Sequence, residues 1–428
     1  MKVGIIGAGI TGLTVAYELG KRNISAEVYE EAPQVGGIAG VTHIDGVALE
    51  KYYHHYFKSD WYVMRLLGEL GIGDRMIGYP STMGYFCGGQ AYDFGTPISL
   101  MRFDPLKFSD KLRFGRSVMK LMTTKDYGKL EDITAHDWIR TNVGSEVYNK
   151  IWRPMLITKF GSNYKDISMA WLWGKIKLRG SSKERGREVL GYIEGSNEVM
   201  LKKLCQEIGA KGGKVHLNRK VASIEMNADK FLLRTTSREL VLYDKLVCTT
   251  PLPVFLDLAK KILPADYVKE KKQIDYTSVL CSTFILDRPF SKYYWLNIGD
   301  ENIPFGGLIE HTNLIGKDSF KGKSILYTSN YLCKDSSYYN MNDEQIIEAY
   351  VPFLKKVNRQ FDKSWIQDII TFRDQYAQPI IKKGYSRAKP GFETPIAGLY
   401  TASMCNIYPE DRGVNYAIRD GIEVSKLI

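Results

Sequence analysis

Residues 7–12 read Gly-Ala-Gly-Ile-Thr-Gly, and their flanks leave few folds open. Lys2 to Ile6 is a short apolar run of the kind that forms a buried parallel strand. Leu13 to Arg22 places Leu13, Ala16, Tyr17 and Leu19 at helical spacing, with Gly20 near the end. Ser25 to Tyr29 is a second β-type run and ends at Glu30. The spacing predicts a β-α-β unit with glycines at its strand-to-helix turn. Gly7 permits the tight turn, Gly9 lets backbone approach a diphosphate, and Gly12 lets the helix pack on the strand. Ile10 and Thr11 stand in the turn just before that helix and are candidate cofactor contacts, since the free N–H groups and dipole of the helix start attract phosphate. Glu30 stands where an acid accepts hydrogen bonds from a ribose hydroxyl.

At 428 residues the chain holds two or three domains' worth of material. Its 44% hydrophobic and 25% charged residues exclude a largely disordered chain. No apolar stretch reaches the ~18 residues of a spanning helix, and Met1–Ile6 lacks the regions of a secretory signal. The cysteines Cys87, Cys205, Cys248, Cys281, Cys333 and Cys405 stand singly. That is neither a disulfide framework nor a zinc site, so the expectation is reduced thiols, a cytoplasmic protein and no metal. No His-x-x-x-His pattern occurs, which argues against a zinc hydrolase.

Lys and Arg number 59 against 48 Asp and Glu, a net charge of +11. Much of that excess is local. Residues 150, 153, 159, 165, 175, 177, 179, 183, 185 and 187 are all Lys or Arg, against Asp166 and Glu184. Such a field attracts phosphates, carboxylates or a membrane surface; a solvated basic face is the plain alternative. No nucleic-acid-binding motif accompanies the charge, so no nucleic-acid partner is expected.

Residues 60–191 read as mainly helical, with aromatic-rich pieces at 85–94 and 170–173. Strand-like runs return at 214–217, 221–226, 231–235, 239–242 and 245–249, the last ending in Thr250-Pro251-Leu252-Pro253. More β-rich sequence follows at 278–330, then a helix at 343–357 and a closing strand and helix at 398–402 and 415–426. This order suits a dinucleotide-binding domain interrupted by insertions from a second domain.

After Glu30 comes Glu31-Ala32-Pro33-Gln34-Val35-Gly36-Gly37. GxGxxG, a strand-end acid and a Gly pair at this spacing resemble the FAD-dependent amine oxidase superfamily, which includes protoporphyrinogen oxidases, phytoene-type desaturases and, more distantly, UDP-galactopyranose mutases. The stretches Thr394–Tyr400 and Arg412-Gly413-Val414-Asn415-Tyr416-Ala417-Ile418 are similar to its last flavin-binding segment. The resemblance implies FAD as cofactor. It places Gly36 and Gly37 near the diphosphate, Val221 near the adenine, and Arg412, Gly413, Val414 and Asn415 beside the flavin ring, and it counts Glu31 among the cofactor-binding residues. It departs from the family pattern twice: Ile38 and Ala39 stand where an Arg often follows the Gly pair, and Ser403-Met404 replaces a late acid. The expected architecture is α/β, a Rossmann-type FAD-binding domain (1–80, 192–260 and 380–428) interrupted by a mixed α+β substrate domain (81–191 and 261–379).

Candidate substrate residues come from three places. His54 and His55 sit in Glu50-Lys51-Tyr52-Tyr53-His54-His55-Tyr56-Phe57, where family members place residues against the flavin, and the choice between them stays open. Arg153 and Lys159 lie in Trp152–Gly161 and suit a carboxylate or phosphate. Tyr376, in Tyr376-Ala377-Gln378-Pro379, is expected to line the cavity. After Asp104-Pro105, a basic amphipathic helix is expected, with Phe108, Leu112, Met119 and Met122 on one face and Arg113, Arg116 and Lys120 on another. Residues 105–122 are thus a candidate for peripheral membrane contact. The leading expectation is an FAD-dependent oxidase or desaturase taking hydride from a bulky, anionic or amphipathic small molecule. Its rivals are a mutase-like flavoenzyme acting on a nucleotide sugar without net redox change, and a flavin-binding module without chemistry.

Overall fold

The computed structural model describes residues 1–180, 183–184, 187–333 and 335–428. Arg185, one of the ten cations of the basic segment, lies outside the described residues, as do the side chains of Lys183 and Arg187.

The expected β-α-β unit is present: β1 (Val3–Ile6), α1 (Ile10–Lys21) and β2 (Ala26–Tyr29). With β3 (Lys214–His216), β4 (Lys245–Cys248) and β5 (Leu399–Thr401) they form a five-stranded sheet in the order β3-β2-β1-β4-β5. Every pairing is parallel, with Ile5 opposite both Val28 and Val247. A parallel sheet covered on both faces needs strands that are apolar on both sides, and all four residues of β1 are buried. Val3, Ile5, Leu13, Leu19, Val28, Val247 and Ile418 share one core. Burying each such side chain stabilises the fold by about 1.5–3 kcal/mol.

The second large sheet has seven strands, in the order 366–379, 276–286, 324–332, 307–310, 295–298, 83–87 and 90–93. It is antiparallel except where 83–87 runs parallel to 295–298. The aromatic piece at 85–94 is therefore strand, not helix. Tyr85 and Phe86 have the β propensity that a sheet position rewards, and both are buried there. A three-stranded antiparallel sheet, 221–243, stands beside β4.

The helical mass comprises α2 (Phe108–Thr123), α3 (Arg153–Phe160) and α4 (Met169–Gly180), with shorter helices between them. Pro105 lies in the turn before α2, which starts at Phe108 with Lys107 as its cap. Phe108, Leu112 and Met119 are exposed. Met122 departs from them, since its Sδ fills the space over Gly180 of α4. The last helix, α5 (Val414–Lys426), packs against α1: a Cβ on Gly421 would stand 2.8 Å from Thr14 Cβ. Among the described residues no helix is long and apolar enough to cross a membrane.

Candidate functional site

One cavity of about 1060 Å³ runs from the C-terminal ends of β1, β2 and β4 to the inner face of the seven-stranded sheet. Ligands in open α/β sheets collect at that end of the strands.

At its parallel-sheet end the cavity is walled by backbone. Gly9 lines it and has open space where a Cβ would stand. Gly12 faces the other way, and a Cβ there would meet the Gly7 carbonyl oxygen at 2.0 Å. Gly36 takes φ +110° and donates its N–H to the Ala8 carbonyl at 2.8 Å, which seats the second glycine segment against the first. No side chain caps α1 at Gly9, so the first-turn N–H groups stay available. The Glu30 carboxylate accepts from the Ala8 N–H at 2.8 Å and the Ala32 N–H at 2.9 Å, tying the end of β2 to the glycine turn. A side-chain-free cradle, an uncapped helix start and an acid at the strand's end together fit the diphosphate and ribose of FAD. Glu31 borders the same end and pairs with Lys220 at 2.7 Å, and Val221 lines it as well. At the other end α5 starts at Gly413, again without a side-chain cap. Its dipole favours negative charge on a ring placed before it. Asn415 lines the cavity while its Oδ1 accepts from the Tyr62 and Val63 N–H groups, which locks α5 to helix 61–69.

Beyond the cradle the cavity opens into an aromatic chamber with buried charges. His54 is bonded through Nδ1 to the Tyr52 carbonyl at 2.5 Å. A carbonyl only accepts, so Nδ1 carries the proton and Nε2 keeps its lone pair. Burial holds His54 down to about 4, with Arg412 adding to the effect. His55 meets the Tyr294 hydroxyl at 2.9 Å and falls to about 3, again through burial first. Both imidazoles are neutral at pH 7. Across the chamber Lys159 and Lys175 converge on Asp411 Oδ2, at 2.9 and 3.2 Å. Burial alone would raise the Asp411 carboxyl, but the two ammoniums hold it well below the usual carboxylate range. Arg412 donates to Gln378 at 2.9 Å and to the Tyr331 hydroxyl at 2.7 Å. Burial pushes the Tyr331 phenol up, and Arg412 and Lys159 more than reverse that push.

The cavity thus gathers Gly7, Gly9, Ile10, Thr11, Glu30, Glu31, Gly36, Gly37, Val221, Arg412, Gly413, Val414 and Asn415, with His54, His55, Lys159 and Tyr376. Gly12 supports it from behind. Arg153 does not line it: its guanidinium pairs with Glu301 outside the cavity, and the side chain is 37% exposed. Arg412, expected beside the flavin, spends its guanidinium on Gln378 and Tyr331. Sequence reasoning missed Lys175, Asp411, Tyr331 and Trp295. Lys175 belonged to the basic segment, but nothing in its spacing set it apart from Lys177, which instead lies over the Trp173 ring at 4.6 Å.

Residues 10–428 match the model of the flavin containing amine oxidoreductase family. A 15-cis-phytoene desaturase of Solanum lycopersicum is 24% identical over 385 residues, covering 84% of this chain and 62% of the relative. The chain spans about half to two thirds of the length of the curated relatives it matches. A solved structure of a putative protoporphyrinogen oxidase from Exiguobacterium sp. 255-15 superposes with a TM-score of 0.77 at 16% identity, covering 99% of this chain and 98% of that one. Reduced UDP-galactopyranose mutase gives 0.77 at 14%, covering 99% and 94%. At such identities the two structures speak for the fold alone.

Proposed function

The chain belongs to the flavin containing amine oxidoreductase family, and from that premise we propose that it is an FAD-dependent oxidase or desaturase of a bulky, anionic or amphipathic small molecule. One observation carries this reading: the cavity is continuous from the glycine cradle to the aromatic chamber, so one molecule fits against the cofactor while its remainder reaches the cations. Bound there, FAD supplies a two-electron acceptor for hydride from a carbon next to nitrogen or from an allylic carbon.

The residues of the chain do the rest. Gly7, Gly9, Gly36, Gly37 and the start of α1 would hold the diphosphate, and Gly413–Asn415 would hold the ring end. Tyr52, Tyr53, Trp295 and Tyr376 enclose the chamber and exclude water. His54, with Nε2 unprotonated, accepts a hydrogen bond or a proton from the substrate. Lys159 and Lys175 orient its anionic end.

A second reading is favoured by the same cations. A nucleotide diphosphate needs several positive groups, and Lys159, Lys175, Arg179 and Arg412 all line the chamber; a mutase-like reaction on a nucleotide sugar would use them without net redox change. Anaerobic flavin absorption separates the two. Bleaching of oxidised enzyme by a candidate substrate establishes the oxidase or desaturase. If oxidised enzyme stays yellow and only pre-reduced enzyme converts a nucleotide sugar, the mutase reading wins.

The outer face of α2 supports a peripheral membrane contact. Phe108, Leu112 and Met119 are exposed there, with Ile98 and Met101 exposed on the helix before it. Arg102, Lys107, Arg113, Arg116 and Lys120 are exposed around them. Apolar side chains ringed by cations suit a bilayer of anionic lipid.

A further inference from the structure

Two ammonium groups on one carboxylate oxygen are an unbalanced arrangement, and the imbalance faces the cavity. Lys159 reaches Asp411 from α3 and Lys175 reaches it from α4. Asp411 Oδ1 is already engaged by Trp171 Nε1, the Arg412 N–H and Lys159 Nζ itself, each at 3.2 Å, so Lys159 spans both oxygens while Lys175 holds only Oδ2. The carboxylate brings one negative charge against two ammoniums and the Arg412 guanidinium. Each ammonium has three N–H donors, and Asp411 does not use them all. The Trp171 ring sits 5.0 Å from Lys159 Nζ and 5.4 Å from Lys175 Nζ, which fixes both amines in place by cation–π attraction.

We propose that Lys159 and Lys175, gathered on Asp411, are the seat of one oxyanion of the substrate, a carboxylate or phosphoryl group, and that this anion enters together with a proton. The proposal rests on the reading that the cavity holds a small-molecule substrate beside FAD. The proton follows from the surroundings of Lys175. Burial first, and then the Lys159 ammonium, bring it down to about 7, against the pull of Asp411. The other groups around the pair are Arg179 on the helix of Lys175, Arg412 beside Asp411, the neutral His55 and, from the seven-stranded sheet, the Tyr331 phenol, which Arg412 and Lys159 draw below its ordinary value. Asp411 is the carboxylate of this set, and Tyr331 its other acid. Above neutral pH, Lys175 gives up its proton and leaves Lys159 paired with Asp411. A second anion favours the charged amine again, so a proton is drawn from solvent as the anion binds. Below about pH 6 the amine is already charged and no proton is taken up.

The test uses oxidised holoenzyme without turnover, titrated calorimetrically with sulfate, a stand-in for a phosphoryl group that does not ionise between pH 6 and pH 8, and, separately, octanoate, in buffers of different ionisation heat. Expected is saturable binding of one probe with uptake of up to about one proton near pH 8 and almost none near pH 6. The probe that binds tells phosphoryl from carboxylate. Lys159→Met weakens that probe about tenfold, the loss of one charge-assisted hydrogen bond. Lys175→Arg keeps the charge but cannot release it, so binding persists and the uptake disappears. FAD content and melting temperature report whether each variant is folded. Absence of saturable binding by either probe overturns the proposal, as does undiminished proton uptake in folded Lys175→Arg. Neither result depends on flavin bleaching, so failure here is distinct from failure of the oxidoreductase reading.

Discussion

Two glycines three positions apart in one motif do different work. Gly9 has open space at its Cβ position and borders the cavity, so Gly9→Ala costs the apo fold no more than about 1 kcal/mol. It weakens FAD binding by tenfold or more, because its methyl stands where the diphosphate must approach. Gly12→Ala collides with the Gly7 carbonyl and destabilises the apo protein by about 1–3 kcal/mol. Melting of both apo variants with FAD titration checks the contrast; equal destabilisation would sink it. At the same scale, His311 is fully buried among Tyr192, Phe320 and Tyr327, and neither ring nitrogen has a hydrogen-bond partner among the described residues. Burial lowers it to about 3. Between that value and the ordinary 6.5 the unfolded chain binds a proton that the folded chain refuses, so stability is lost as pH falls through this window. His311→Phe removes the loss, and its gain in melting temperature is larger near pH 5 than near pH 8. A gain independent of pH would show that the imidazole is not the cause.

Among the elements, α2 shows how far an amphipathic pattern reaches. The pattern made Phe108, Leu112, Met119 and Met122 one face, but only the packing of α4 withdrew Met122 onto Gly180. The remaining patch predicts binding to vesicles of anionic lipid that falls steeply as salt shortens the Debye length to about 8 Å. Phe108→Ser with Met119→Ser cuts that binding several-fold while flavin absorption stays as it was. Co-sedimentation reads both, and binding indifferent to salt and to the serines removes the membrane from this account. The hairpin 83–93 is the opposite case. Its aromatic residues were visible, yet its sheet position depends on a parallel partner at 295–298, about 200 residues later, which no local pattern signals.

For the whole molecule, the cofactor cleft draws its walls from segments between Ile6 and Asp420. The strands of the two large sheets alternate along the chain, and we propose that a discontinuous FAD-binding domain, 1–80, 192–260 and 380–428, closes on a substrate domain across this cleft. A ligand bound between such distant segments stabilises all of them together. FAD at a hundredfold excess over its dissociation constant adds about 2.7 kcal/mol, so stripping the flavin lowers the melting temperature by several degrees and readdition restores it. A melt unchanged by flavin removal would mean that the cradle does not join the segments as described.

The sequence by itself determined the β-α-β unit, the turn at residues 7–12, the acid at its second strand and the closing strand and helix. Those are local demands: a tight turn, a close backbone approach and a helix dipole involve neighbours in the chain. Tertiary structure decided which charges meet. Lys159 and Lys175 lie 252 and 236 residues from Asp411, and Arg153, in the same basic segment as both, pairs elsewhere with Glu301. Periodicity reports which face of a helix is buried, but not what the rest of the chain sets against it.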